Sequence, residues 1–214
     1  MVKILLLSDI HSQNITLINI LKVVKKLTNP PENCLIAGDI TNFGTTEELN
    51  KILNIITDYF SKVFFVLGNC DPFVRTEELE TSAKHLESNI QGIEFFKVVG
   101  FGTHKPKLNQ KVLNKLRKSK ERVCLLTHAP PYNTQADMVS LNKHAGSVDL
   151  RNFIEKNSHI FLVISGHIHD SPTLTKLNNC TIVNPGPVTT GNFAILDIHQ
   201  DFRVDGKIHN LYEV

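Results

Sequence analysis

The sequence predicts an α/β fold, and three observations predict it. From Val2 to about Cys70, short aliphatic runs alternate with segments of helical period, which is the pattern of successive βαβ units on a parallel sheet. The same alternation returns between Asn109 and Ile164. Beyond Ser171 no helical stretch remains, only strand-length apolar segments separated by turn residues, so the chain ends in β structure.

The first strand is Val2 to Leu7. In the helix that follows, Leu17, Leu21 and Val24 repeat at i, i+4 and i+7 while Lys22, Lys25 and Lys26 face away, and Asn29-Pro30-Pro31 stops it. Cys34 to Ala37 is the second strand. Thr45 and Glu48 have capping-box spacing ahead of Leu49, Ile52, Leu53 and Ile56, and Val63 to Leu67 is the third strand. Thr76 to Leu86 reads as a short helix, and Ile93 to Val99 as a strand of a hairpin running into Gly100 and Gly102. A helix from about Asn109 to Ser119, carrying Val112, Leu113 and Leu116, leads into a strand from Arg122 to Leu126. Ala129 to Gly146 is a loop of a length that is usually functional or mobile. A helix from about Ser147 to Lys156, with Leu150, Phe153 and Ile154 inward, precedes a strand from Ile160 to Ile164. The last strands are Thr173 to Leu177, Cys180 to Val183, Phe193 to Ile198 and Lys207 to Tyr212, with Asn178-Asn179 and Asp205-Gly206 as turns.

At 214 residues, 41% hydrophobic and 21% charged, with 9 prolines and 11 glycines, the chain is expected to form a single domain over 1–214 with a sizeable core. Its 23 basic and 21 acidic residues leave a formal charge of +2, scattered in short groups, so nothing demands long nucleic acid or an anionic membrane as partner. The apolar runs Ile4 to Leu7, Val63 to Leu67 and Phe161 to Ile164 fall far short of the roughly 18–20 residues of a membrane span. After Lys3 only four aliphatic residues precede Ser8, fewer than the about 7–15 of a signal peptide. The expected location is the cytoplasm, with Cys34, Cys70, Cys124 and Cys180, none in CxxC spacing, as reduced thiols.

Asp9, Asp39 and Asn69 stand thirty residues apart, each just past the end of an apolar strand. A βα unit and its return take about 30 residues, so three parallel strands would present oxygen ligands at one sheet edge, where open α/β sheets bind ligands. The next two strands offer nitrogen: His128 follows Leu126-Thr127, and His167 and His169 follow Ile164-Ser165-Gly166. With His11 the candidate ligands number seven: Asp9, His11, Asp39, Asn69, His128, His167 and His169. Mixed imidazole and oxygen donors suit Mn, Fe, Zn, Ni or Co better than Mg or Ca. Seven ligands exceed one tetrahedral site and would serve two metals about 3.5–4 Å apart with one carboxylate bridging, as in in-line phosphoryl displacement. Two divalent cations against only two carboxylates leave the site cationic, which favours an anionic phosphate ester.

These motifs resemble the calcineurin-like metallophosphoesterases: Asp9-Ile10-His11 is similar to the family's DxH, Gly38-Asp39 to its GD, Gly68-Asn69-Cys70-Asp71 to its GNH(D/E), Thr127-His128 to its later lone histidine, and Gly166-His167-Ile168-His169 to its GHxH. Within the family, the stretches Leu126 to Tyr132, His144 to Ser147, Gly166 to Asp170 and Val183 to Pro187 resemble the Icc-related predicted phosphoesterases. The resemblance spans position 3 to about 198. It implies two packed mixed β-sheets flanked by helices. It also implies that Asp9, His11 and His169 hold one metal, Asn69, His128 and His167 the other, and that Asp39 bridges them, with Mn the expected ion. Activity would be hydrolysis of a phosphodiester or small phosphomonoester by a metal-bound hydroxide, with Asp39, Asn69 and His128 positioning hydroxide and phosphate through the metals.

One departure is Cys70, which stands where the family has a histidine that contacts phosphate and protonates the leaving oxygen. A thiol of ordinary pKa about 8.5 is a poor substitute. Water or another residue such as His144 would then supply the proton, or substrates with good leaving groups would be favoured; Cys70 itself is read as a small residue lining the pocket in preference to a catalytic thiol. Asn184 and Asp71 are read as hydrogen-bonding supports of the ligand loops, and His85, His104, His159, His199 and His209 as surface or hydrogen-bonded histidines. The alternatives are an interaction module on the same fold, or a nuclease using the same site. The partner expected is a small phosphorylated substrate, with no membrane, and the oligomeric state is open, a homodimer included.

Overall fold

The computed structural model describes residues 1–102, 112, 114–116, 121–139 and 143–213. In chain order the first half holds β1 (Val2–Leu7), α1 (Asn14–Lys25), β2 (Asn33–Ala37), α2 (Thr46–Thr57), β3 (Lys62–Val66), β4 (Lys84–His85), β5 (Ile90–Ile93) and β6 (Phe96–Phe101). Then come β7 (Val123–Thr127), β8 (Met138–Val139), β9 (Lys143–His144), α3 (Val148–Glu155), β10 (Ile160–Ile164), β11 (Thr173–Leu177), β12 (Cys180–Asn184), β13 (Asn192–Ile198) and β14 (Val204–Asn210). One six-stranded sheet has the order β14-β13-β1-β2-β3-β4 and the other β11-β12-β10-β7-β6-β5. Strands β1 to β4 run parallel, with the β13–β14 hairpin antiparallel at β1. In the second sheet β12, β10, β7 and β6 are parallel and β11 and β5 antiparallel at the edges.

Strand side chains alternate between faces, and that alternation builds the layers. Ile4, Leu6, Leu35, Ala37, Phe64 and Val66 of the first sheet share a core with Val98, Cys124, Leu126, Leu162, Ile164 and Val183 of the second. Their neighbours Leu5, Leu7, Cys34, Ile36, Val63 and Phe65 turn outward onto Leu17, Ile20, Leu21 and Val24 of α1 and Leu49, Ile52, Leu53 and Ile56 of α2. On the far side Val99, Val123, Leu125, Val163 and Ile182 meet Leu150, Phe153 and Ile154 of α3. Strands buried on both faces read as unbroken aliphatic runs. The result is two packed mixed sheets with helices on the outside, as the resemblance implied. All four cysteines are buried and free.

Helix starts follow local chemistry. Thr45 Oγ1 accepts from Glu48 N at 3.3 Å, which is the N-cap half of the expected box, and Ser147 Oγ does the same for Leu150 N at 3.2 Å. Of the helix expected over Asn109 to Ser119 most lies outside the described residues; Val112 and Asn114 to Leu116 are helical, and Leu116 is buried in the outer core.

Three expectations are corrected. Thr76 to Leu86 is not a helix: it makes one 3-10 turn, Thr76–Glu78, and then β4. Asn50 and Asn54 of α2 capture the Glu78 and Glu80 carbonyls and the Glu80 N–H, so side chains take the backbone groups that helical bonds would have used. The strand Ile93 to Val99 is split by a two-residue turn, with Ile93 paired to Phe96 and Glu94 at φ 49°; no Gly or Asn advertised it. Asp205-Gly206 is no turn but lies within β14, paired with Asp197 and Leu196. The reversal is at His199 to Arg203, where Phe202 packs against Phe95 and Phe161 and under Arg122, a long-range contact that outweighs the local turn signal.

Thermal unfolding should separate the two kinds of support. Thr45→Ala, which removes one cap, should lower stability by about 1 kcal/mol, a Tm shift of roughly 2–4 °C for a chain of this size, whereas Leu35→Ala between the sheets should cost about 2–5 kcal/mol.

Candidate metal centre

Each expected ligand emerges from the carboxyl end of a strand, and four of them sit in left-handed turns: φ is 52° at Asp9, 43° at His11, 50° at Asp39 and 69° at His167. Such conformations cost L-residues roughly 1–2 kcal/mol, least for Asp and Asn. They persist because the turns of β1 and β2 stay paired beyond the strands, with Asp9 N to Gly38 O at 3.0 Å, His11 N to Asp39 O at 3.0 Å and Ser12 N to Ile40 O at 3.1 Å. The β3 turn folds back onto them, and at Gly68 any Cβ would collide with the Asp39 carboxylate and meet Asp39 N at 2.4 Å. That glycine is required by close approach.

The seven side chains meet at the ends of both sheets. Asp9 is buried; its Oδ2 accepts from Ser8 Oγ at 2.6 Å and His167 N at 3.1 Å, and its Oδ1 lies 3.2 Å from His169 Nε2. His11 Nε2 lies 3.4 Å from His169 Nε2 and 3.6 Å from Asp39 Oδ2. Asp39 Oδ1 accepts from Cys70 N at 2.8 Å, leaving Oδ2 also 3.5 Å from His128 Nε2. His128 is wholly buried; its Nδ1 donates to Ala37 O at 2.7 Å, and its Nε2 lies 3.1 Å from Asn69 Oδ1. The His167 ring packs edge-on to that of His128, centroids 4.9 Å apart. Asp9 and His128 form a buried floor, while Asn69 and His169 are exposed at the rim.

Burial works against ionisation of Asp39, yet the hydrogen bond and charge of His128, the Cys70 N–H and the charge of His11 outweigh it and hold the carboxyl down to about 2. Burial likewise works against a charged His128, but Asp39, Asp9 and the Ala37 carbonyl raise it to about 9. His169 is raised chiefly by its contact with Asp9. The corner therefore attracts positive charge, as protons or as a cation.

Cys70 is buried, and burial with the charges of Asp39, Asp71 and Asp9 pushes its thiol up to about 12. Asp71 accepts from Thr41 N at 2.7 Å and Gly68 N at 2.8 Å, tying the second and third turns together. Asn184 Nδ2 donates to Ile168 O at 2.8 Å between His167 and His169. Sequence reasoning missed Ser8, which no motif marks, and Asp137, a wholly buried carboxylate in the long loop. His144 is not in the cluster; its ring meets Asp137 at 2.8 Å and the Tyr132 ring at 5.7 Å.

Among known proteins, Uncharacterized protein MJ1162 of Methanocaldococcus jannaschii is 32% identical over 220 residues, which cover 94% of this chain and 98% of that one. A dimetal phosphatase from Danio rerio superposes with a TM-score of 0.73 at 12% identity, covering 98% of this chain and 96% of its own. TT1561 of Thermus thermophilus does so with a TM-score of 0.72 at 15% identity over 98% of both chains. At such identities the two structures speak to the fold alone. The family model for calcineurin-like phosphoesterases, however, matches residues 2–171, which takes in all seven expected ligands, and the chain belongs to that family.

Proposed function

We propose that the protein is a dinuclear metal-dependent phosphoesterase that hydrolyses a phosphodiester or a small phosphomonoester. What supports this most is the crowding, among the described residues, of ligand atoms from Asp9, His11, Asp39, Cys70, His128 and His169 into three overlapping groups no more than 4.8 Å across, two of which share Asp39. The donor set fits a pair of divalent cations: the Nε2 atoms of His11 and His169 lie 3.4 Å apart, with carboxylate oxygens of Asp9 and Asp39 beside them at 3.2 and 3.6 Å, the mixture of imidazole and carboxylate that first-row divalent ions take. Asp9, His11 and His169 would hold one ion, Asn69, His128 and His167 the other, and Asp39 both. Imidazole and oxygen donors suit Mn, with Fe, Zn, Ni or Co of similar preference. Bound there, the ions supply Lewis acidity toward phosphoryl oxygens and a nucleophilic water at neutral pH.

The chain's own contribution is positioning. Because Nδ1 of His128 donates to Ala37 O, Nε2 is the ring nitrogen turned to Asn69 and Asp39, and the ring is held in that orientation. Asn69 is a neutral oxygen donor where a carboxylate would cancel more cationic charge, and the exposed side of Asn69 and His169 is where an anionic ester would enter. Cys70, beside Asp39, accepts from Asn69 Nδ2 at 3.3 Å through its sulfur, which leaves the Asn69 oxygen turned to His128. The modest charge of +2 favours a small phosphorylated substrate over long nucleic acid. The four buried free thiols suit the cytoplasm, and no helix among the described residues is long and apolar enough to cross a membrane.

Metal-stripped protein reconstituted with Mn should bind about two ions per chain and hydrolyse bis-p-nitrophenyl phosphate, p-nitrophenyl phosphate or both; full loading without turnover on either would remove the esterase reading. Asp39→Ala should lose metal and at least about 100-fold in activity, more than a supporting residue does, and an unchanged metal content would end its bridging role. Cys70→Ser should keep both ions and turnover within about threefold, since a serine hydroxyl can accept from Asn69 Nδ2 as the Cys70 sulfur does at 3.3 Å; loss of an ion would make Cys70 a ligand.

A further inference from the structure

Breaking a phosphate ester of a weakly acidic alcohol leaves an oxygen that needs a proton, and a placed general acid is worth roughly 10²–10⁴ in rate. The histidines of the centre are the proposed ligands, and outside it few are available. His85 and His209 stack on Phe65 and Phe193. His159 precedes β10 and His199 follows β13, whose last residue, Ile198, pairs with Val2, so both lie at the opposite end of the sheets. Among the remaining described residues, His144 is the histidine on a loop that leaves the centre itself.

That loop is clamped beside the strand ends that carry the ligands. Two residues past His128, Pro130 O accepts from Ser147 N at 2.8 Å, and Arg151 donates to the Tyr132 and Asn133 carbonyls at 2.9 and 2.7 Å. Two residues past His169, Ser171 Oγ donates to the carbonyl of Met138, the cross-strand partner of His144. His144 is thus bracketed by the segments leaving His128 and His169.

Inside the loop Asp137 is fully buried. Its Oδ1 accepts from Thr134 N and His144 Nδ1, both at 2.8 Å, and its Oδ2 from Asn133 N and Gly146 N, both at 3.0 Å. A Cβ at Gly146 would come within 2.7 Å of Pro130 O and 2.8 Å of Asp137 Oδ2, so glycine is what lets the backbone close over the carboxylate. A loop that only needed to close could do so around a neutral group and avoid desolvating a charge. With both oxygens engaged as acceptors, the ring donates through Nδ1, and Nε2 is the atom left to exchange a proton. The His144 side chain is 24% exposed.

We infer that His144 donates the proton to the leaving oxygen and that Asp137 positions it; the inference rests on the phosphoesterase reading and deepens it. As the P–O bond to the alcohol breaks and a P–O bond from water forms, Nε2–H of the protonated ring passes its proton to the leaving oxygen. The ring regains one from solvent, matching the proton the attacking water gives up.

The test compares Mn-loaded wild type, His144→Gln and Asp137→Asn on paired esters, bis-p-nitrophenyl against diphenyl phosphate and p-nitrophenyl against phenyl phosphate. Taking the ratio within one sample cancels any misfolded fraction. His144→Gln should lower kcat/KM on the phenyl ester about 100-fold and on the nitrophenyl ester only a few-fold, and Asp137→Asn should show the same discrimination, smaller. Equal losses on both esters, or none, overturn the assignment while leaving the esterase standing; wild type inert on all four overturns both. Independently of turnover, nitrogen NMR of the His144 ring should show Nδ1 as the protonated nitrogen when neutral, with that preference lost in Asp137→Asn. An Nε2–H tautomer in the wild type overturns the positioning role.

Discussion

Across the gap between the sheets, the buried ring of His128 donates to Ala37 O at 2.7 Å and turns its other nitrogen to Asp39, 3.5 Å away. This contact fixes how the end of β7 sits against the end of β2, and the rest of the site depends on it. Asp39 can face His128 only because Cys70 N holds its other oxygen, and Cys70 N is there only because Gly68 lets the β3 turn lie against Asp39. A buried ion pair of this kind is weak evidence for stability, since desolvation offsets much of the attraction. Its directionality is what matters, because apolar packing between the sheets tolerates small slides and a hydrogen-bonded imidazole does not.

The strand ends concentrate features that elsewhere count against a fold. Asp9, His11, Asp39 and His167 adopt left-handed backbone, and Asp9, Asp39 and His128 are buried and polar. Residues held against local preference cluster where the surrounding structure over-determines them. Here the over-determination is explicit: paired turns between β1 and β2, the Asp71 tie from Gly68 to Thr41, and the Asn184 tie to Ile168. The strained turns stand on a scaffold whose three cores, one between the sheets and one beneath each outer helical layer, are apolar.

Much of this was legible in the sequence. The aliphatic runs and helical periods located most of the strands and α1, α2 and α3, because two-face burial leaves runs and one-face burial leaves stripes. The thirty-residue spacing of Asp9, Asp39 and Asn69 pointed to a shared sheet edge, since parallel neighbours must return through a helix of nearly constant length. What stayed hidden was set by distant partners. Asn50 and Asn54 unmade the Thr76 to Leu86 helix, and Phe202, drawn under Arg122, moved the last turn away from Asp205-Gly206.

By itself, then, the sequence determined the α/β class, the buried stripes of α1, α2 and α3 and the strand ends that carry Asp, Asn and His, because all of these are written in local periodicity and spacing. Only the tertiary structure decided that the two sheets pack with those ends together, that His128 Nδ1 rather than Nε2 is spent on the backbone, and that Asp137 lies buried against His144. Those are relations between segments up to 158 residues apart, as between Asp9 and His167. They depend on directional hydrogen bonds formed after the chain has folded, and no local pattern encodes a direction in space.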